Sequence, residues 1–170
     1  GGPSLPWMEA FRDAGISFIL VSHESAAGIM ADVTARITGV PGVCHATFGP
    51  GAANLVTGAG LALLDRSPVL MLTSEMPDEL LQRTVQMNIS HQDMYKPVTK
   101  LTFRLDPGNA EELISRALIV SQNEYPGPVH IGLPSDLADR EFQPSGKTFA
   151  EPEEAAADND EAQAIALLER

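Results

Sequence analysis

The chain has 170 residues, a net charge of −12 and 44% hydrophobic residues, which suits one folded domain followed by a tail. The acidic balance argues against nucleic acid as a partner, because phosphate binding needs clustered lysine and arginine. The single cysteine excludes an internal disulfide, so we expect a cytoplasmic protein. No apolar run approaches the ~20 residues that a membrane-spanning helix needs, so no membrane association is expected.

Short apolar runs alternate with amphipathic stretches, and this rhythm predicts an α/β fold of three layers (α/β/α) around a mostly parallel sheet. Helices are predicted at 6–13, from Glu24 to about Thr38, from about 51 to about Asp65, and at 109–122. Buried strands are predicted at 18–21, 43–47, 69–73 and 129–131, and an edge strand at 100–105. Residues 75–90 show no period and predict a long loop, which in compact domains is often functional.

The composition changes near residue 142, where we expect the domain to end. Residues 143–160 are rich in proline, alanine and acidic side chains and predict a linker. Residues 161–170 have a helical pattern and predict the beginning of a following domain.

Glu24 follows His23 at the point where a predicted buried strand gives way to a helix. Ligands of parallel α/β folds bind at the carboxyl ends of strands, where a partly desolvated carboxyl can have a pKa suited to proton transfer. Alternatively, Glu24 is simply an acid favoured by the dipole of its helix. The spacing alone leaves both interpretations open.

A glycine-rich turn, Gly49-Pro50-Gly51, follows another predicted strand and leads through Ala52-Ala53 to Asn54. Glycines let a ligand approach the backbone closely, and the first turn of the following helix presents free N–H groups that could bind phosphate. An ordinary tight turn between strand and helix has the same sequence signature.

A third polar group, Ser90-His91-Gln92-Asp93, follows the predicted loop. A histidine or glutamine there could face a substrate, although the pattern by itself favours a solvated turn. Four scattered histidines and one cysteine predict no protein-built metal site. Gly146-Lys147-Thr148 lacks the spacing of a phosphate-binding P-loop.

Several segments taken in order resemble one family. Residues 23–36 resemble its H-E-x-x-A-x-x-M-A-D-x-x-A-R helix, and residues 42–54 resemble its G-V-C-x-x-T-x-G-P-G-x-x-N stretch. Further matching segments lie at 65–69, 97–100 and 127–136. This ordered set, spread over about residues 1–142, resembles the N-terminal pyrimidine-binding domain of thiamine-diphosphate (ThDP) enzymes of the acetolactate synthase type.

The resemblance implies a role for each candidate residue. Glu24 would hydrogen-bond N1′ of the cofactor's aminopyrimidine and so promote removal of the thiazolium C2 proton, and the cofactor would act as an electron sink. The Gly49-Pro50-Gly51 turn would line the pyrimidine pocket, and Asn54 would brace that turn. Gln92, or His91 in its place, would face the substrate.

The resemblance also implies partners. Mg²⁺ and the diphosphate would be held by a diphosphate-binding domain of a second subunit, because the family's G-D-G motif is absent from this chain. We therefore expect a homodimer or homotetramer that acts on a small 2-keto acid, with decarboxylase or carboligase activity. The family's first helix and strand normally precede the Gly1-Gly2 segment, so we expect a fold cropped at its N-terminal edge and inactive as an isolated fragment.

Two alternatives remain open at this point. The chain could be a complete small subunit of a two-chain ThDP decarboxylase. In a different class, it could be a nucleotide-binding regulatory module that uses the glycine-rich turn on phosphate, although the G-x-G-x-x-G and P-loop spacings are lacking.

Overall fold

The computed structural model describes residues 2–81, 83 and 87–140. Its helices are α1 Leu5–Asp13, α2 Glu24–Thr38, α3 Pro50–Leu64, α4 Asp78–Leu81, α5 His91–Tyr95 and α6 Ala110–Gln122. Its strands are β1 Gly42–Ala46, β2 Val69–Glu75, β3 Leu101–Arg104 and β4 Pro128–Pro134. Single 3₁₀ turns lie at Gly2–Ser4, Lys96–Val98 and Ser135–Leu137. The linker and following domain predicted at 143–160 and 161–170 lie outside the described residues.

The four strands form one parallel sheet in the order β1-β2-β4-β3, which confirms the predicted α/β class. β2 and β4 are buried along all seven residues of each, as expected of parallel strands covered on both faces. Successive β2 side chains point to opposite faces, so Met71 packs with α2 and α3 whereas Leu70 packs with α1 and α6. The sheet therefore lies between two helical layers. None of the helices in this described part is long and apolar enough to cross a bilayer.

The strand predicted at residues 18–21 is wrong. The segment carries no regular secondary structure, and Ile19 and Leu20 are 74% and 89% exposed. An apolar run becomes a strand only when a neighbouring strand satisfies its backbone hydrogen bonds. Within the described residues, β1 pairs with β2 alone, so residues 18–21 have no strand beside them.

Two glycines let α2 and α3 pack closely. A Cβ built on Gly28 would lie 2.8 Å from the Gly58 Cα, and a Cβ built on Gly58 would lie 2.6 Å from the Gly28 Cα. Both distances are backbone contacts that no rotamer change relieves. This contact fixes the spacing of the two helices that begin at the candidate site.

We expect Gly28→Ala to lower the free energy of unfolding by about 1–3 kcal/mol, because the added methyl overpacks the contact between the helices. Gly60→Ala is the matched control on α3, since a Cβ there meets nothing within 4 Å and should stabilise the helix by about 1 kcal/mol. Urea unfolding of the two variants measures both effects. Equal stability of the two would contradict the packing argument.

Two segments that match the family have structural roles. In the first, Asp32 is fully buried on α2 and accepts a 2.8 Å hydrogen bond from Arg36, which also reaches Asp65 at 3.4 Å. In the second, Lys100 Nζ donates to the backbone oxygens of Val120 and Asn123 at the end of α6. The first contacts join α2 to the end of α3, the second join the start of β3 to the end of α6, and neither set reaches the candidate site.

Candidate functional site

Glu24 is the first residue of α2. The cap before it is His23, whose Nδ1 accepts a 3.2 Å hydrogen bond from the Ser25 N–H. The Glu24 side chain is half-buried, and its Oε2 accepts a 3.1 Å hydrogen bond from Asn54 Nδ2 on α3. The backbone N–H of Glu24 and then the Asn54 amide hold the pKa of this carboxyl below its usual value. Glu24 is thus a first-turn acid that a second helix also orients.

The glycine-rich turn lies directly against this carboxylate. Gly49 has φ 66° and ψ −121°, a conformation open only to glycine, and Pro50 is the first residue of α3. A Cβ on Gly51 would lie 3.3 Å from Glu24 Oε1 and 2.7 Å from Thr47 Cγ2. The absence of a side chain at Gly51 therefore leaves the turn and the carboxylate in close contact.

The side chain and the backbone oxygen of Asn54 both contact the start of α2. Its side-chain amide points to Glu24, and its backbone oxygen accepts a 2.7 Å hydrogen bond from Ser25 Oγ. Asn54 therefore orients the acid of α2, and its role as a brace of the turn stays a prediction.

Glu24 also lines an apolar groove of about 470 Å³. Its walls are apolar side chains from residues 18–21, from α2 and from β1, including Phe18, Leu20, Met30 and Val43. A carboxylate at the border of such a groove is less hydrated than one on an open surface. It is therefore suited to bind a polar edge of an otherwise apolar ligand.

A second cavity, of about 360 Å³, lies beyond the ends of β2 and β3. Its polar wall is Glu75, whose Oε1 accepts from Gln92 Nε2 at 2.6 Å and whose Oε2 accepts from Arg104 Nε at 2.7 Å. Arg104 also donates to Asp78 and to the Met76 backbone oxygen. Burial raises the pKa of Glu75, and Gln92 and Arg104 oppose that shift.

The segment at 90–93 is a capped helix start rather than a solvated turn. Ser90 caps α5, and its side chain accepts from the Asp93 N–H. His91 is 2% exposed, and both its ring nitrogens are hydrogen-bonded to other residues of the chain. Both residues border the second cavity, but Gln92 is half-buried whereas His91 is buried, so Gln92 is the better placed of the two to meet a substrate. That role stays a prediction.

Two buried residues near this cavity, Glu75 and His130, escaped the sequence interpretation, and they lie beside the predicted candidate His91. Glu75, His91 and His130 bring possible ligand atoms within 4.8 Å of one another, although the sequence predicted scattered histidines. Thr73 Oγ1 lies between the two imidazoles, 2.9 Å from His91 Nδ1 and 2.8 Å from His130 Nε2. The available signal was a histidine at position 130 inside an otherwise apolar buried strand.

Comparison with known proteins identifies the family. Residues 1–94, more than half of the chain, match the family described as thiamine pyrophosphate enzyme, N-terminal TPP binding domain. The chain belongs to this family of thiamine pyrophosphate enzymes. Membership confirms the resemblance and implies thiamine diphosphate as the cofactor.

Curated relatives of this TPP-binding domain are longer proteins. One, named "Probable acetolactate synthase large subunit", from Methanocaldococcus jannaschii, is 41% identical over 143 residues, which are 84% of this chain and 24% of that protein. "Probable 2-ketoarginine decarboxylase AruI" of Pseudomonas aeruginosa is 38% identical over 81% of this chain and 26% of its own length. The "Acetolactate synthase isozyme 2 large subunit" of Escherichia coli is 35% identical over 81% and 25%. The chain spans about a quarter of these relatives.

Proposed function

We propose that this domain forms the pyrimidine side of a thiamine-diphosphate site in a 2-keto-acid decarboxylase or carboligase of the acetolactate synthase type. One observation carries the proposal. The Glu24 carboxylate lies at the start of α2, against Gly51 at the start of α3, and is held there by Asn54.

The residues present fit an aminopyrimidine ring. A Cβ at position 51 would lie 3.3 Å from Glu24 Oε1, so glycine keeps this oxygen free of a neighbouring side chain. Asn54 engages Oε2, which leaves Oε1 as the oxygen nearest to the glycine turn. The apolar groove beside Glu24 suits the rest of an aromatic ligand.

The chain's own contribution is to bind, orient and share a proton. When bound, thiamine diphosphate supplies an electron sink for the carbanion formed at a 2-keto acid. Glu24 would share a proton with N1′ of the pyrimidine, and Asn54 would keep the carboxylate aimed at that nitrogen. Gly49, Pro50 and Gly51 would form the wall of the ring pocket, and Gln92 would face the substrate.

Further components of the site belong to the proposal. The diphosphate and its Mg²⁺ would be bound by a diphosphate-binding domain of a second subunit, in a cytoplasmic homodimer or homotetramer, and the isolated domain would be inactive. The α2 helix supports a subunit contact, because Met30 is 42% and Ile37 79% exposed. Exposed apolar faces of this kind mark interaction surfaces.

The names of the relatives bear on the reaction. Acetolactate synthases and a 2-ketoarginine decarboxylase are similar to this chain at 33–41% identity. The name of the decarboxylase contains a 2-keto acid, 2-ketoarginine. We therefore propose a small 2-keto acid as substrate, with carboligation or simple decarboxylation as the outcome.

Isothermal titration of the full-length protein with thiamine diphosphate and Mg²⁺ tests the proposal, and ATP and GTP in separate titrations test the nucleotide-binding alternative. We expect saturable heat with thiamine diphosphate and none with nucleotide. Nucleotide binding without cofactor binding would overturn the assignment.

A further inference from the structure

The start of α3 is held by two hydrogen bonds from α5. His91 Nε2 accepts a 3.1 Å hydrogen bond from the Gly49 N–H, and Tyr95 O–H donates to the Ala52 backbone oxygen at 2.8 Å. His91 and Tyr95 are both buried, at 2% and 0% exposure. Buried side chains of α5 therefore hydrogen-bond to both ends of the turn beside Glu24, at Gly49 and at Ala52.

The bond from Gly49 fixes the protonation of the His91 ring. A backbone N–H can only donate, so Nε2 must be the unprotonated nitrogen. A neutral imidazole then carries its proton on Nδ1, which lies 2.9 Å from Thr73 Oγ1. Glu75 Oε1 lies 3.6 Å from the same nitrogen, but an imidazolium would place a second proton where Gly49 already donates. Burial also lowers the pKa of His91 to about 4.

The protonation of His91 also fixes which atoms donate in the next hydrogen bonds, from Thr73 to His130 and from His130 to Thr102. Because Thr73 Oγ1 accepts from His91, its own proton is directed to His130 Nε2 at 2.8 Å. His130 is then protonated on Nδ1, 2.7 Å from Thr102 Oγ1. The Tyr95 ring stacks on the His130 ring at a centroid distance of 4.0 Å and an angle of 9°. One backbone N–H thus sets the tautomer of two imidazoles.

These directions argue against a metal ion between Glu75, His91 and His130. A metal-bound histidine usually donates its second N–H to an acceptor. His91 faces a donor at that second nitrogen, so a metal on Nδ1 would require a ring without any proton. Thr73 instead links His91 to His130 through hydrogen bonds, and Glu75 accepts hydrogen bonds from Gln92 and Arg104.

We propose that His91 is a positioning residue, which holds the Gly49-Pro50-Gly51 turn against the Glu24 carboxylate through a hydrogen bond that only the Nδ1–H tautomer can accept. The inference rests on the proposed function for its effect on the cofactor. The hydrogen bond itself does not depend on that function. His91 acts through the turn, since its ring nitrogens contact Gly49 and Thr73.

Two variants of the full-length protein test the role. His91→Phe keeps a flat ring but removes the acceptor, and we expect it to slow the exchange of the thiazolium C2 proton about 10- to 100-fold by displacing the turn. His91→Gln keeps a side-chain oxygen that can accept from Gly49, and we expect exchange within about threefold of the parent. Parent-like exchange in His91→Phe, or an equal loss in both variants, would overturn the role.

A spectroscopic measurement on the unmodified protein stays decisive if His91→Phe fails to fold. In ¹⁵N-histidine-labelled protein, we expect the His91 ring to show a protonated Nδ1 and an unprotonated Nε2 at neutral pH, without added cofactor. A protonated Nε2 would overturn the proposal. If the tautomer is as expected but the parent binds no thiamine diphosphate, the proposed function fails and the turn-holding bond stands.

Discussion

Glu24→Gln in the full-length protein should slow exchange of the thiazolium C2 proton by about 10²–10⁴-fold, the usual range for loss of a positioned acid or base. Glutamine keeps the length of the side chain and can still meet Asn54, but it cannot hold a proton shared with a ring nitrogen. Proton exchange followed by NMR on the enzyme-bound cofactor measures activation without assuming a particular substrate.

Glu112→Gln is the control for Glu24→Gln. Glu112 lies in the first turn of α6 and is exposed, so it matches Glu24 in helix position but lies outside the candidate site. We expect parent-like exchange in this variant. Near-parent exchange in Glu24→Gln as well would rule out Glu24 as the activating acid.

As the pH is lowered, the fold should begin to lose stability at a pH well above the range in which carboxylates titrate. Burial lowers the pKa of His91 to about 4, and burial together with His91 lowers the pKa of His130 to about 3, from an ordinary 6.5. The unfolded chain therefore takes up protons below pH 6.5 that the folded chain does not. Stability is complete above that pH and decreases below it, by about 2 kcal/mol for each histidine at about pH 5.

Two other groups change the size of this effect. His45, which is half-buried, has its pKa lowered to about 4 chiefly by burial and acts in the same direction. Glu75 has a raised pKa, so it takes up a proton more readily in the folded state and opposes the loss. The net result is still a loss, because the histidines outnumber the opposing carboxyl.

Urea unfolding at several pH values measures this loss. His91→Gln removes one of the titrating rings, so its stability should depend on pH less steeply than the parent, by about 1.4 kcal/mol per pH unit. A free energy of unfolding that is the same at pH 7 and pH 5 would contradict the burial of neutral histidines.

The central strands were predictable because a continuous apolar run is what a doubly covered parallel strand requires. The runs at 69–73 and 129–131 predicted β2 and β4, and the structure extends both. Residues 18–21 carry the same local signal and form no strand. The difference is a pairing partner, which is a property of the whole fold and is not written in the segment itself.

The site was predictable to a similar extent. Glu24 and the Gly49 turn were found because each lies between an apolar run and a predicted helix, and the structure brings them together although the run before Glu24 forms no strand. The partner of Asn54 was not found, since an amide side chain reveals no direction in sequence. The hydrogen bond between Thr73 and His130 joins residues 57 positions apart, and no local pattern predicts such a contact.

The position of β4 has a consequence for synthesis of the protein. β4 is the last described strand in the chain, but it lies inside the sheet between β2 and β3. A nascent chain that has emerged only as far as Arg104 therefore contains β2 and β3 but lacks the strand that lies between them. Until Pro128–Pro134 leaves the ribosome, their backbone edges and apolar faces stay open to neighbouring chains. Translational pausing after β3 should therefore increase the need for chaperones.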